Sequence, residues 1–228
     1  MTRNECARYL AEHDNYLILT HRRPDGDTLG SAGALCSALR RAGKQAYLLK
    51  NEEATEKYLP FVGGYFAPVD YVYDTVIAVD TADVTMFPKV FSGKVDLCID
   101  HHGSNRDYAE NLLLEADSAA ACEVLYLLVK ELGVELTAQM ADCFYTGIAT
   151  DTGCFRYSNT NAHTYRVAAA CADTGADLYP ITQELFDTTS ISELKLQNWI
   201  VEHAQFLCGG KAAVCGIPAA MEANVSRE

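Results

Sequence analysis

Acidic and imidazole side chains cluster where apolar segments of this chain end. They lie at or just after the ends of three strand-like segments, 15–20, 75–80 and 94–100, and at the end of one helical segment. The groups are His21, Asp25, Asp27, Asp80, Asp83, Asp100, His101, His102 and Asp151. Crowded carboxylates repel one another and raise each other's pKa, and a bound cation removes this cost. Carboxylates with imidazoles and without thiolates favour Mn²⁺ or Mg²⁺ over a structural zinc ion. The pattern therefore predicts a metal site.

The number of plausible ligands favours two ions rather than one. Such a set is too large for a single ion that must keep open positions. Two ions that share a bridging carboxylate are the arrangement used for phosphoryl hydrolysis. Asp80 is the predicted bridge, because it stands where its strand ends, between the two other ligand-bearing loops.

Each acidic group also has a simpler interpretation when it is taken alone. Asp25 and Asp27 flank a glycine and could form a plain turn. Asp80 could cap a following helix, and Asp151 could cap a turn. The adjacent pair His101–His102 is harder to explain this way, because buried strand ends rarely carry two imidazoles. Taken together at successive strand ends, the groups favour the metal interpretation.

Strand-like and helical segments alternate along the chain, which predicts a parallel β-sheet flanked by helices. Helices are predicted over about 2–12, 28–43, 83–91, 118–132, 138–149, 161–175, 177–187 and 190–207, and strands at 15–20, 45–50, 75–80, 94–100 and 211–217. Asp117 or Ser118 is the predicted cap of the helix at 118–132. Ligands of such sheets bind beyond the carboxyl ends of the strands, so the predicted metal ligands converge there.

The composition restricts the class of protein. The 228 residues include 31 acidic and 18 basic side chains, for a formal net charge of −13, which disfavours binding of long nucleic acids. Nine cysteines occur without a CxxC pair, so neither a disulfide framework nor a structural zinc site is expected. The first residues lack a signal-peptide core, and no apolar run is long enough to span a membrane. We expect a cytoplasmic protein.

Four segments, in order, resemble the motifs of the DHH phosphoesterases: "HRRPDGD", "VDTAD", "DHHGSN" and "ATDTGCFRYSNT". That group includes RecJ-like exonucleases, manganese pyrophosphatases and the nanoRNase/pAp-phosphatase branch. The resemblance runs from about residue 5 to the end of the chain, and "FRYSNT" is most similar to the nanoRNase branch. Pyrophosphatase activity is less expected, because few lysines lie near these motifs.

Carried over by position, the resemblance implies two Mn²⁺ ions, with Mg²⁺ as the alternative. The implied ligands are His21, Asp25 and Asp80 for one ion, and Asp27, Asp80, His101 and Asp151 for the other. Asp100 would orient an imidazole, and His102 would face the substrate phosphate and protonate the leaving oxygen. Arg156 would bind a phosphate through its planar guanidinium, or else form a surface salt bridge.

The resemblance also implies a domain order: a DHH domain over 1–186, a helical linker over 187–208 and the start of a DHH-associated domain over 209–228. The last segment looks like only the opening strand and helix of that domain, so the chain is expected to be truncated. The expected substrates are short oligonucleotides, the 3′-phosphate of pAp, or both. A cyclic or linear dinucleotide phosphodiesterase and a non-catalytic metal- or nucleotide-binding module are the alternatives. If the chain forms an oligomer, we expect a homodimer.

Overall fold

The computed structural model describes residues 1–221, so residues 222–228, which include part of the predicted opening helix, lie outside the described residues. Two compact units are present, Met1–Thr182 and the residues from Gln183 onward. The predicted division at residues 186 and 208 remains a proposal. All nine cysteines lie within the described residues, and there each is a free thiol. Within residues 1–221, the helices all fall short of the length and hydropathy needed to cross a membrane.

The first unit contains a five-stranded, fully parallel sheet with the order β2-β1-β3-β4-β5. The strands are β1 (Tyr16–Leu19), β2 (Ala46–Leu48), β3 (Thr75–Val79), β4 (Leu97–Asp100) and β5 (Asn111–Leu114). Strand order reverses between β1 and β3, because the chain moves from β1 to β2 on one side and continues with β3 on the other. Such a switch point opens a crevice at the carboxyl ends of the strands. The predicted α/β class with a parallel sheet is confirmed.

Helices pack on the sheet and on one another. In the first unit they are α1 (Arg3–Glu12), α2 (Gly26–Arg41), α3 (Leu59–Val62), α4 (Ala121–Glu131), α5 (Ala138–Asp151), α6 (Ala162–Asp173) and α7 (Tyr179–Thr182). Helix α2 is buried along almost its whole length and packs antiparallel to α5. The start of α2 therefore meets the end of α5, where Gly26 faces Thr150.

Glycines on α2 and α5 permit this close approach. A Cβ at Gly30 would lie 2.3 Å from the carbonyl oxygen of Cys143, and one at Gly147 would lie 2.6 Å from a carboxylate oxygen of Asp27. Both contacts are shorter than real Cβ atoms tolerate, so the two helices need these glycines to pack at this distance. The packing places Asp27 and Asp151 side by side.

The opposite face of the sheet is covered mainly by irregular segments. Leu17 and Leu19 of β1 and Val76 of β3 pack there with Phe87, and Tyr108 lies against the same cluster. The rings of Phe87 and Tyr108 meet edge to face at a centroid distance of 5.5 Å. Aromatic side chains from loops thus bury the surface that a helix would cover in a symmetrically flanked sheet.

In the first unit, two local predictions were wrong and one strand was missed. Within 83–91, only Val84–Met86 is helical, as a 3₁₀ turn. The helix does not continue because Pro88 disfavours the helical conformation of the residue before it, and Phe87 is extended. Helix α4 begins after Ala120 rather than after Asp117 or Ser118. Strand β5 was not predicted, since it is a short, half-buried edge strand with no alternation of apolar and polar residues.

The second unit is small within its described residues. It contains a π-helical turn (Gln183–Asp187), helix α8 (Ile191–His203) and an antiparallel pair formed by β6 (Gln205–Leu207) and β7 (Ala212–Val214). Residues 205–207, predicted as helix, are therefore strand. Ser190 caps α8 with a reciprocal Glu193 contact. The indole of Trp199 donates to the carbonyl of Gly216 at 3.0 Å, which ties α8 to the segment after β7.

We expect Gly30→Ala to destabilise the protein by about 1–3 kcal/mol, because the new methyl group meets backbone rather than a flexible side chain. Urea unfolding midpoints measure the effect. Gly63→Ala is the matched control, since a Cβ there meets nothing within 4 Å and its backbone is helical. Equal midpoints for the two variants would contradict the close α2–α5 packing.

Candidate metal centre

The structure brings all the predicted metal ligands to the carboxyl edge of the sheet. Their candidate ligand atoms form three groups, each within 4.8 Å: His21–Asp25–Asp80, Asp27–His101–Asp151 and Asp80–His101–His102. His21, Asp80 and His101 follow strands β1, β3 and β4. The other predicted ligands are Asp25, the N-cap of α2, Asp27 in its first turn and Asp151 at the end of α5. The first group is the ligand set that the resemblance implies for one ion. The second group is the set that it implies for the other ion, without the shared Asp80. Their role as ligands remains a prediction.

Asp80 lies between the other groups. Its Oδ2 is 3.7 Å from Nε2 of His21, and its Oδ1 is 3.4 Å from Nε2 of His101 and 3.5 Å from Nδ1 of His102. The side chain is buried, and within residues 1–221 its Oδ1 has no hydrogen-bond partner. Its backbone is left-handed, with φ of 50°, and its N–H donates to Ile99 of β4. Oδ2 of Asp80 therefore faces His21, and Oδ1 faces His101 and His102.

Backbone carbonyls fix the orientation of two imidazoles. Nδ1 of His21 contacts the carbonyl of Arg22 at 2.8 Å, and Nδ1 of His101 contacts that of Ser118 at 3.1 Å. Each contact leaves Nε2 directed at the carboxylates. Metal-binding histidines are commonly oriented in this way, by a hydrogen bond from the other ring nitrogen. Nε2 of His101 is buried, has no hydrogen-bond partner within residues 1–221 and lies 3.4 Å from Oδ2 of Asp151. Such a nitrogen suits a cation.

Asp27 has a structural contact that its motif did not predict. Its Oδ2 accepts from the N–H of Ala121 at 2.6 Å, and its Oδ1 accepts from that of Cys122 at 2.9 Å. Helix α4 has no cap from its own N-cap residue, Ala120, so the carboxylate of Asp27 caps it from α2. The positive end of α4 in turn stabilises a buried anion.

Asp25 combines two roles in the same way. Its Oδ1 accepts from the N–H groups of Asp27 and Thr28 at 3.1 Å each and so caps α2. The same oxygen lies 3.7 Å from Nε2 of His21. The helix-capping and ligand interpretations of this residue are therefore compatible.

Asp100 holds the loop that follows β4. Its fully buried Oδ1 accepts from the N–H groups of His101 and His102 at 2.8 and 3.2 Å and from Nδ1 of His102 at 2.8 Å. Its Oδ2 accepts from Asn105 at 2.7 Å. Burial would raise the pKa of Asp100, but the hydrogen bonds from His102 and Asn105 outweigh it and hold the pKa below its usual range. The carboxylate is thus occupied in orienting the ring of His102, which is 40% exposed.

The electrostatics of the centre reflect its crowding. Burial and then the neighbouring carboxylates raise the pKa of Asp27 to about 7 and that of Asp151 to about 9. Burial lowers the pKa of His21 and His101, but carboxylates outweigh it and raise both to about 10: Asp25 and then Asp80 act on His21, and Asp80 and then Asp27 act on His101. Buried carboxylates that repel one another in this way favour divalent cations. The oxygen and nitrogen donors present therefore fit Mn²⁺ or Mg²⁺.

Two further residues concern this centre, one as a predicted substrate contact and one through its electrostatics. Arg156 is exposed, and its Nε donates to the carbonyl of Gly153 at 2.5 Å; its predicted phosphate contact remains a prediction. Tyr58 was not predicted. It is buried, and burial followed by the charges of Asp25 and Asp151 raises its pKa to about 12. No sequence signal points to it, because it lies in the irregular stretch after β2, far from the motifs.

The chain belongs to the DHH family: the model for the DHH family, N-terminal domain, matches residues 15–148. It is 33% identical over 203 residues to the bifunctional oligoribonuclease and PAP phosphatase NrnA of Thermus thermophilus, with 88% of this chain and 62% of that protein covered. It is 29% identical over 229 residues to the protein of the same name from Bacillus subtilis, with 93% and 69% covered. The predicted resemblance to the nanoRNase branch is confirmed.

Solved structures support the fold. An exopolyphosphatase-related protein from Bacteroides fragilis superposes with a TM-score of 0.82 at 21% identity, covering 97% of this chain and 71% of that one. A putative family II inorganic pyrophosphatase from Methanococcus jannaschii gives 0.58 at 19% identity, covering 86% and 68%. At these identities the likeness shows the fold alone. The chain spans about 62% of the length of the Thermus relative.

Mn²⁺ should stabilise the protein against heat, because a cation that binds only the folded centre relieves the repulsion among its carboxylates. One site at a free Mn²⁺ concentration of about 100 times Kd adds about 2.7 kcal/mol, which raises Tm by roughly 5–10 °C for a domain of this size. Differential scanning calorimetry with and without Mn²⁺ measures the shift.

Asp80→Asn should remove most of this shift, whereas Asp83→Asn should keep it. Asp83 comes from the same loop, but its side chain accepts from the N–H of Thr85 and lies outside the three groups. Equal shifts in both variants would show that Mn²⁺ binds elsewhere.

Proposed function

We propose that this chain is the phosphoesterase part of a hydrolase that uses two Mn²⁺ ions to cleave short oligonucleotides and the 3′-phosphate of pAp. The observation that carries the proposal is the position of Asp80, whose two oxygens face two separate groups of ligands. Membership in the DHH family supports a phosphoester substrate. The names of the NrnA relatives support the choice of oligoribonucleotides and pAp.

The proposed ligand sets follow the three groups of the centre. One ion would be held by His21, Asp25 and Asp80, and the other by Asp27, Asp80, His101 and Asp151. When bound, such ions would lower the pKa of a water molecule and neutralise charge on the phosphate oxygens. The chain's own contribution is to hold the two sets apart and to share one carboxylate between them.

His102 is the proposed contact to the substrate phosphate. Asp100 accepts from its Nδ1, so Nε2 on the far side of the partly exposed ring is available to a substrate. The hydrogen bond to Asp100 raises the pKa of His102 against the opposing effect of burial, which favours the protonated ring. A protonated Nε2 can stabilise the phosphate and donate its proton to the leaving oxygen.

The charge of the chain favours short substrates. With 31 acidic and 18 basic side chains, the surface lacks the excess of Lys and Arg that long nucleic acids need. A short oligonucleotide or pAp instead places one phosphate at the centre, with Arg156 as a proposed second contact. The domain division at residues 186 and 208 and a homodimer remain parts of this proposal.

His101→Ala should lower metal occupancy, because its Nε2 faces Asp27, Asp80 and Asp151. His102→Ala should keep the metal and lower kcat by about 10²–10⁴-fold, the usual contribution of a general acid. Elemental analysis of the dialysed proteins and turnover of pApA measure the two effects. Equal metal loss in both variants would contradict the proposed division of roles.

A substrate panel tests the proposed activity directly. With Mn²⁺, we expect hydrolysis of pApA and pAp to exceed that of pyrophosphate, because the motifs lack the lysines of a compact phosphate pocket. Phosphate and mononucleotide release report the turnover, and Asp80→Asn is the inactive control. A preference for pyrophosphate would overturn the substrate assignment, and activity retained in Asp80→Asn would overturn the two-ion site.

A further inference from the structure

The segment that follows Asp151 has an unusual backbone. Three successive residues, Gly153, Cys154 and Phe155, have φ values of 55°, 57° and 62°. Only glycine adopts this left-handed conformation readily, and L residues with side chains occupy it singly rather than in succession. Strained backbone of this kind persists where the surrounding structure enforces it, and it is concentrated at functional sites.

Hydrogen bonds enforce this conformation and tie the segment to the end of α5. The hydroxyl of Thr152 accepts from the N–H of Phe155 at 3.0 Å, and the carbonyl of Thr152 accepts from the N–H of Tyr157 at 3.0 Å. The side chain of Asn159 donates to the carbonyl of Asp151 at 3.1 Å and to that of Ala119 at 3.2 Å. The segment is therefore fixed relative to the metal centre.

The turn presents the ring of Tyr157 at the surface, against Gly153, the second residue after Asp151. The hydroxyl end of the ring rests on Gly153, where a Cβ would lie only 2.3 Å from Cζ, and yet the residue is 59% exposed. A second exposed ring lies further along the segment, where Tyr165 stacks on Phe155 at 5.6 Å and 18°. Tyr165 has one face already occupied in this way.

We propose that Tyr157 is a substrate-binding residue that stacks against a nucleobase and so favours substrates that carry a base over those that do not. The inference rests on the proposed function. The exposed ring rests on Gly153, two residues after Asp151, which places it on the side of the centre where a base attached to a bound phosphate could stack. Aromatic faces bind every base, and a chain with a net charge of −13 gains little affinity for nucleotides from its surface charge. Stacking supplies the binding that the surface charge does not.

The test compares Tyr157→Leu, Tyr157→Phe and Tyr165→Leu on three substrates in Mn²⁺. These are pApA and two analogues of it, one without the 5′ base and one without the 3′ base. Tyr157→Leu should raise KM for pApA about tenfold, which corresponds to about 1.4 kcal/mol. Tyr157→Phe and the similarly exposed Tyr165→Leu should remain near the wild-type KM. For the analogue that lacks the stacked base, Tyr157→Leu should have no effect.

Two results would overturn the inference: equal KM values for Tyr157→Leu and Tyr157→Phe, or an equal loss on pApA and on both analogues. Binding of pApA in Ca²⁺, measured by isothermal titration calorimetry, separates this inference from the proposed function. If the wild-type chain binds pApA without cleaving it, the proposed function fails, and the ratio of Kd values between the leucine and phenylalanine variants still decides the stacking. Absence of binding by the wild-type chain would overturn the inference as well.

Discussion

Repulsion among buried carboxylates is the constraint on which this structure depends. Asp27 and Asp80 are almost fully buried, and Asp151 lies beside them, with their oxygens gathered around Nε2 of His101. Bringing such groups together costs free energy unless imidazoles, backbone N–H groups or cations compensate it. The chain supplies the first two through fixed histidines and through the start of α4. Those partners leave Oδ1 of Asp80 and Nε2 of His101 without a hydrogen bond in the described chain, and a cation would satisfy both.

The fold makes this gathering possible through topology. Parallel strands end at one edge, and the reversal of strand order between β1 and β3 opens the crevice there. His21 and Asp80 follow these two neighbouring strands, so they face one another across the switch point. Helices α2 and α5 run antiparallel, and their glycines allow them to pack closely. This packing adds Asp27 from the start of α2 and Asp151 from the end of α5. Ligand candidates spread between residues 21 and 151 therefore meet at one place.

Part of this could be predicted from the sequence. The parallel sheet followed from the alternation of apolar strands and helices, and the convergence of the strand-end groups followed from the sheet. The capping of α4 by Asp27 could not be predicted, because it joins residues 94 and 95 positions apart. Local signals favoured Asp117 or Ser118 instead. Tyr58 and the left-handed turn at Gly153–Phe155 were likewise invisible, since only packing determines where an irregular stretch lies or when strain is tolerated.

The two roles of Asp27 link the stability of the fold to the chemistry of the centre. A carboxylate that only bound a cation could be placed on any loop with suitable geometry. Asp27 also caps α4, and the loop before α4 supplies the carbonyl of Ser118 that orients His101. A shift of Asp27 would therefore move a helix start and, through it, a second predicted ligand. Structural and chemical demands on this residue coincide, so the precise position of α4 is part of the centre rather than a support remote from it.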